Sequence, residues 1–399
     1  MEDGKRPPCP GEGSDAPVDR YKVAYVIHFL LGAGNLLPWN ALITAIDYFG
    51  LVYPDKHIER VFSVAYMSSS VFVLVLVVAR GGWCRNFGFR TRMNLGFSLF
   101  ILSMMVAPLL DWSGVAGGTK GGTRVGFGVT VGMVVVCGLA DGLVGGSLIG
   151  SAGRLPKEYM QAVFAGTASS GVLVSLLRIF TKASLPQTTQ GLRTSAHFYF
   201  IISTFILLIC VACCNLLGKL PVMRPYYTNL EGNLPLSRSL LLIGKIKWPV
   251  FGIVLIYLVT LSIFPGFIAE NLESPLLKDW YPVVLITAYN VADLSGKSLT
   301  AVYLMRSMNT AIWGCVARLA FYLLFYFSLH GPRWMRGEAP VTILTFLLGL
   351  TNGYLTSFLM ISTPKSVLES EAESAAITMI VFLGVGLLSG SIIGWLWII

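Results

Sequence analysis

Charge is scarce in this sequence of 399 residues: 12% are Asp, Glu, Lys or Arg, where soluble globular chains carry about a quarter. That scarcity excludes a protein whose surface faces water throughout. Histidine is scarcer still, with His28, His57, His197 and His330 scattered along the chain, so no local acid–base constellation supports an enzyme. No Walker-type phosphate loop is present, which leaves an internal ATP-driven pump without a basis. No Asn-x-Ser/Thr sequon occurs, and residues 1–20 lack the apolar stretch of a secretory leader. Of seven cysteines, Cys137, Cys210, Cys213, Cys214 and Cys315 lie inside apolar runs, where a thiol packs as a small hydrophobe. No disulfide framework follows, and the absence of His or carboxylate neighbours at ligand spacing around Cys210, Cys213 and Cys214 argues against a metal site.

What is abundant is apolar: 55% of residues are hydrophobic, and the mean hydropathy is +0.71. Runs of roughly 20 such residues recur, the length a helix needs to cross a bilayer at about 1.5 Å per residue. Spans are expected near 22–44, 61–79, 93–110, 125–150, 159–181, 196–217, 249–268, 281–304, 312–330, 340–360 and 374–397. That count, eleven, puts the termini on opposite faces. The net charge of +9 is dispersed through short loops and not gathered into a nucleic-acid surface, so it serves as a topology signal. Arg80, Arg85, Arg90 and Arg92 after the second span favour a cytosolic N-terminus and an external C-terminus.

The expected organisation is a disordered cytosolic tail (1–20), a six-helix bundle (21–217), a cytosolic linker (218–248) rich in Lys, Arg and Pro, and a five-helix bundle (249–399). Leu37-Pro38-Trp39 and Phe264-Pro265-Gly266-Phe267 place a helix-breaking Pro beside an aromatic in the first helix of each bundle, a correspondence that points to a central site.

An ionisable side chain inside a span costs about 3 kcal/mol to insert, so each requires a partner or a function. Asp141, Asp293, Lys297 and Arg318 are such residues. Asn290, Asp293 and Lys297 occupy i, i+3 and i+7 of one helix and project from one stripe, with Asp293 and Lys297 able to pair. Such a stripe serves either as a self-neutralising packing element or as a hydroxyl-binding array. Asp141 sits in a Gly-rich helix with no basic residue in its own turn; it is a proton-coupling residue, or it pairs with Arg178 or Arg318 from another span. Arg318 reads as structural. Trp39 and Asn40 follow Pro38 deep within the first span, where a locally opened helix would present the indole to a cavity as a stacking surface for a planar base.

Four motifs occur together: Gly34-Asn35-Leu36-Leu37-Pro38-Trp39-Asn40-Ala41-Leu42-Ile43-Thr44-Ala45; Gly146-Ser147-Leu148-Ile149-Gly150 with Leu155-Pro156 and Tyr159; Ile263-Phe264-Pro265; and Asn290 to Lys297. In this combination the chain resembles the equilibrative nucleoside transporters, especially their plant members, from about Tyr21 to the C-terminus. The resemblance implies an all-α polytopic membrane protein of eleven transmembrane helices in a 6+5 arrangement related to the major facilitator fold. It implies a secondary transporter of nucleosides or nucleobases working by alternating access. It also implies that Trp39 lines the substrate site, that Ile43, Tyr66 and Met67 help to wall it, and that Asp293 with Lys297 contacts ribose. Two departures stand out. Gly145 occupies a position where relatives often carry a base-binding Gln, and Lys297 one where they often carry Arg, whose bidentate fork Lys cannot make. Plant relatives include carriers described as proton-coupled, which gives Asp141 a role.

The expected partners are therefore the nucleoside or nucleobase, the lipid bilayer and protons. Nucleic acid, a cofactor and an obligate protein partner are not called for. A carrier of organic cations or other small polar solutes on the same scaffold is the alternative. The plasma membrane is expected ahead of the vacuolar membrane.

Overall fold

The computed structural model describes residues 19, 22–54, 56, 58–79, 87–113, 120–223, 242–270, 272, 274–332 and 334–398. Most of the expected tail and of the 218–248 linker lies outside these residues, as do Arg80, Arg85 and His57. Among the described residues the chain is entirely helical: α1 (Val23–Thr44), α2 (Ile46–Val52), α3 (Ile58–Ala79), α4 (Phe89–Trp112), α5 (Lys120–Arg154), α6 (Lys157–Ser184), α7 (Thr189–Leu217), α8 (Lys247–Ile263), α9 (Gly266–Glu270), α10 (Tyr281–Val302), α11 (Met308–Ala317), α12 (Ala320–His330), α13 (Glu338–Lys365) and α14 (Glu369–Ile393). Without water in the hydrocarbon layer each segment must satisfy its own backbone, and a helix does so internally.

Among the described residues, ten helical stretches are long and apolar enough to cross a membrane. The remaining expected span appears as α10, 22 residues long but diluted by Asn290, Asp293, Ser295 and Lys297. Large apolar side chains point outward, among them Phe205 (65% exposed), Phe180 (67%) and Leu102 (62%). A surface of this kind suits lipid and not water.

The inward faces pack mainly within the first six long helices, α1 along α6 and α7, α5 along α3 and α4, and within the later ones, α10 along α13 and α8 along α14. Across the two groups α6 meets α10, and α14 meets α3 and α5. At the end where α1 begins, Arg154 pairs with Glu373 at 2.6 Å and Lys365 donates to the Leu155 carbonyl at 2.6 Å. At the opposite end Lys182 donates to the Asp279 carbonyl at 2.6 Å, and Arg60 lies over the Trp395 ring at 5.0 Å.

The two prolines behave differently. α1 runs unbroken through Pro38, so the expected local opening is absent. α8 stops at Ile263, and Phe264 is extended (φ −113°, ψ 136°), the conformation Pro265 favours in the residue before it. The ninth expected span is interrupted at Arg318 and Leu319, where i to i−3 bonds replace the α-helical pattern between α11 and α12.

α10 and α13 approach closely because glycine stands at the crossing. A Cβ on Gly353 would sit 2.1 Å from the Asp293 carbonyl oxygen, and one on Gly296 would sit 2.3 Å from that of Leu350. Gly353→Ala should force the helices apart and destabilise the protein by about 1–3 kcal/mol. Its melting temperature in detergent should fall together with transport; an unchanged melting temperature would show that the crossing is slack.

Candidate functional site

The helix contacts enclose a central cavity of about 160 Å³, reached by both groups of helices. Of the residues expected at a site, Trp39, Asn40, Ile43, Met67, Asp141, Asn290, Asp293 and Lys297 all line it. Tyr66 does not. It stands behind Trp39, the two rings 4.7 Å apart and tilted by 44°, so it supports the indole and does not wall the space. Gly145 lies beside Asn35 and Ile380, which do line the cavity.

The charged stripe on α10 is tightly bound. Lys297 Nζ lies 2.8 Å from Asp293 Oδ2, both side chains buried, and also donates to Thr167 Oγ1 on α6 at 3.4 Å. Asn352 on α13 donates to Asp293 Oδ1 at 2.8 Å and accepts from Thr260 on α8 at 2.9 Å. Arg318 continues the network. Fully buried, it donates to Thr260 at 2.7 Å, to the Leu348 carbonyl at 3.0 Å and to Thr351. A single connected set of polar groups therefore ties α6, α10, α13, α8 and the α11–α12 junction together. Removing one member would leave a neighbour buried and unpaired.

With these bonds made, Lys297 retains one N–H and the Asp293 oxygens retain lone pairs for a ligand. Asn290 contributes less than expected: its amide donates to Ser175 Oγ at 2.8 Å and to the Gly171 carbonyl at 3.2 Å, which leaves only its oxygen for the cavity. Asn40 likewise donates to Ser170 Oγ at 2.8 Å.

On the other side of the cavity Asp141 accepts from Ser70 Oγ at 2.6 Å. Neither arginine weighed as its partner reaches it. Arg178 pairs with Asp47 and donates to the Thr44 carbonyl, and Arg318 is held in the network above. Among the described residues no cation pairs with Asp141.

Sequence reasoning missed Asn35, Ser70, Thr167, Thr260, Tyr289 and Asn352 as lining residues, and Phe264, quoted in a motif, had no role assigned. Phe264 and Tyr289 stack 3.9 Å apart at 15° and form an aromatic wall where α8 ends. Single Thr and Asn residues in apolar runs carry no signal of their own; their role arises from the helix each one meets.

The sequence profile of the nucleoside transporter family matches residues 131–241 and 236–399. Equilibrative nucleotide transporter 8 of Arabidopsis thaliana is 63% identical over 384 residues, covering 96% of each chain. The chain belongs to the plant equilibrative nucleoside transporters. Equilibrative nucleotide transporter 1 of the same organism is 49% identical over 407 residues, covering 98% of this transporter and 90% of that one. Among solved structures, the transporter is similar to a D-xylose-proton symporter (TM-score 0.60, 13% identity, 94% of this chain and 88% of that one). It is also similar to a bacterial homologue of the iron transporter ferroportin in an outward-facing state (TM-score 0.59, 15% identity, 94% and 92%). These likenesses give the fold, that of the major facilitator transporters. The chain is accordingly a multi-pass membrane transporter and not an enzyme.

Proposed function

We propose that the transporter carries uncharged nucleosides by alternating access, with the bundles at 21–217 and 249–399 moving about the central cavity and a proton bound at Asp141 coupled to the cycle. The observation that carries this reading is the content of one cavity: an indole face, and a buried carboxylate–lysine pair with hydrogen-bonding capacity to spare. A planar base stacks on the first, and a ribose diol meets the second. The two Arabidopsis relatives are named nucleotide transporters, yet the carboxylate and ammonium side chains lining this cavity are Asp141, Asp293 and Lys297, two acids to one base. Whether Asp141 is ionised or protonated, a phosphate would meet no net positive charge here, which favours the nucleoside.

The carboxylate of Asp141, with no cation paired to it among the described residues, keeps the organic-cation reading in play. Uptake of labelled adenosine, uridine, adenine, AMP and choline into proteoliposomes, with and without an inward proton gradient, separates the readings. Saturable adenosine and uridine uptake that AMP and choline do not inhibit is expected. Choline uptake without nucleoside uptake would overturn the proposal. We place the N-terminus in the cytosol and the protein in the plasma membrane, which accessibility of an N-terminal tag in intact cells would test.

Trp39→Ala should lose about 1–3 kcal/mol of substrate recognition and Trp39→Phe distinctly less. Equal, small effects of both at normal surface expression would reject stacking.

A further inference from the structure

Four asparagines line the central cavity: Asn35, Asn40, Asn290 and Asn352. Three are committed. Asn40 donates to Ser170, Asn290 to Ser175 and Gly171, and Asn352 both donates to Asp293 and accepts from Thr260. Asn35 differs. Its side chain is 7% exposed, its Oδ1 is buried with no hydrogen-bond partner, and its amide nitrogen makes no hydrogen bond among the described residues. A buried amide left open in an apolar setting is unfavourable unless something entering the cavity completes it.

Its position is equally specific. Asn35 and Trp39 are four residues apart on α1, so they share one face, the amide about 6 Å along the axis from the indole. The amide and the indole therefore bound the same part of the cavity. Gly145 on α5 keeps the approach open, since a Cβ there would stand 3.6 Å from both Asn35 amide atoms. Ile380 flanks the same spot and limits competing water.

We propose that Asn35 reads the nucleobase, pairing its free N–H and C=O with a ring nitrogen and the adjacent exocyclic amino group of a 6-aminopurine. The inference rests on the nucleoside reading given above. The donor–acceptor pattern is the one by which Asn recognises adenine bidentately elsewhere. Ser70 does not compete for this role because its hydrogen is given to Asp141.

The test compares adenosine with purine riboside, which lacks the 6-amino group, in proteoliposomes. The wild-type ratio of Vmax/KM should favour adenosine about ten-fold, the size expected when one hydrogen bond is lost and the buried Asn35 carbonyl is left unpaired. Asn35→Leu should bring the ratio to about one, whatever the absolute rates. Gly145→Val, which covers the amide without changing it, should lower the ratio in the same direction and serves if the first variant fails to fold. A ratio unchanged in both variants, or a wild-type ratio already near one, overturns the assignment of Asn35. Failure of the wild type to transport either nucleoside overturns the nucleoside reading itself, and the assignment with it.

Discussion

Lys297→Gln should abolish most nucleoside uptake, by roughly 3–5 kcal/mol or more than a hundred-fold, because it strands the Asp293 carboxylate in a buried site. Asp293→Asn should do comparable damage by stranding the ammonium. Part of this loss is structural, since Asn352, Thr260 and Arg318 are held in the same chain of hydrogen bonds. The ribose assignment adds a finer expectation: uptake of free adenine, which has no diol, should fall less than uptake of adenosine. The double variant Asp293→Asn/Lys297→Gln strands neither member of the pair and should recover expression relative to the single variants without recovering the preference for nucleosides over bases. Proportional loss for nucleosides and bases in every variant would make the pair a packing element only.

Asp141→Asn should leave substrate exchange working and abolish the stimulation of uptake by an inward proton gradient. The amide mimics the protonated acid in shape and charge, so it fixes the carrier in its proton-loaded form. The geometry favours this role: Asp141 lines the cavity, is held by neutral hydroxyl groups, Ser70 among them, and has no cation paired with it among the described residues. An acid clamped by arginine could not exchange a proton so readily. If the variant keeps the full response to the gradient, the carboxylate serves packing and transport is equilibrative.

The spans were legible because a bilayer demands long apolar runs, and ten of them are plain in composition. α10, where the eleventh span was expected, stood out for the opposite reason, as polar residues at helical spacing mark a face that cannot touch lipid. Asp293 and Lys297 announced their pairing through i, i+4 spacing; Asn352, Thr260 and Thr167 announced nothing, because their partners stand on other helices. Asn290 looked like a donor until Ser175 and Gly171 took its hydrogens. Pro38 and Pro265 gave the same local signal with different outcomes. Phe264 yields to the extended backbone before proline, while at Leu37 the packing of α1 against α6 and α7 keeps the helix intact. Arg318 was expected to be structural and sits in the buried network, yet the helical break beside it was hidden, since a turn of i to i−3 bonds leaves no mark in an otherwise apolar run.

Counterflow in proteoliposomes tests the central claim most directly, because only a carrier whose one site faces each side in turn couples inward and outward movement. Vesicles loaded with unlabelled adenosine and diluted into trace labelled adenosine should accumulate label transiently above its equilibrium level, with the recovered label still adenosine. Label that rises only to equilibrium, at a rate indifferent to the internal nucleoside, would contradict alternating access through this cavity.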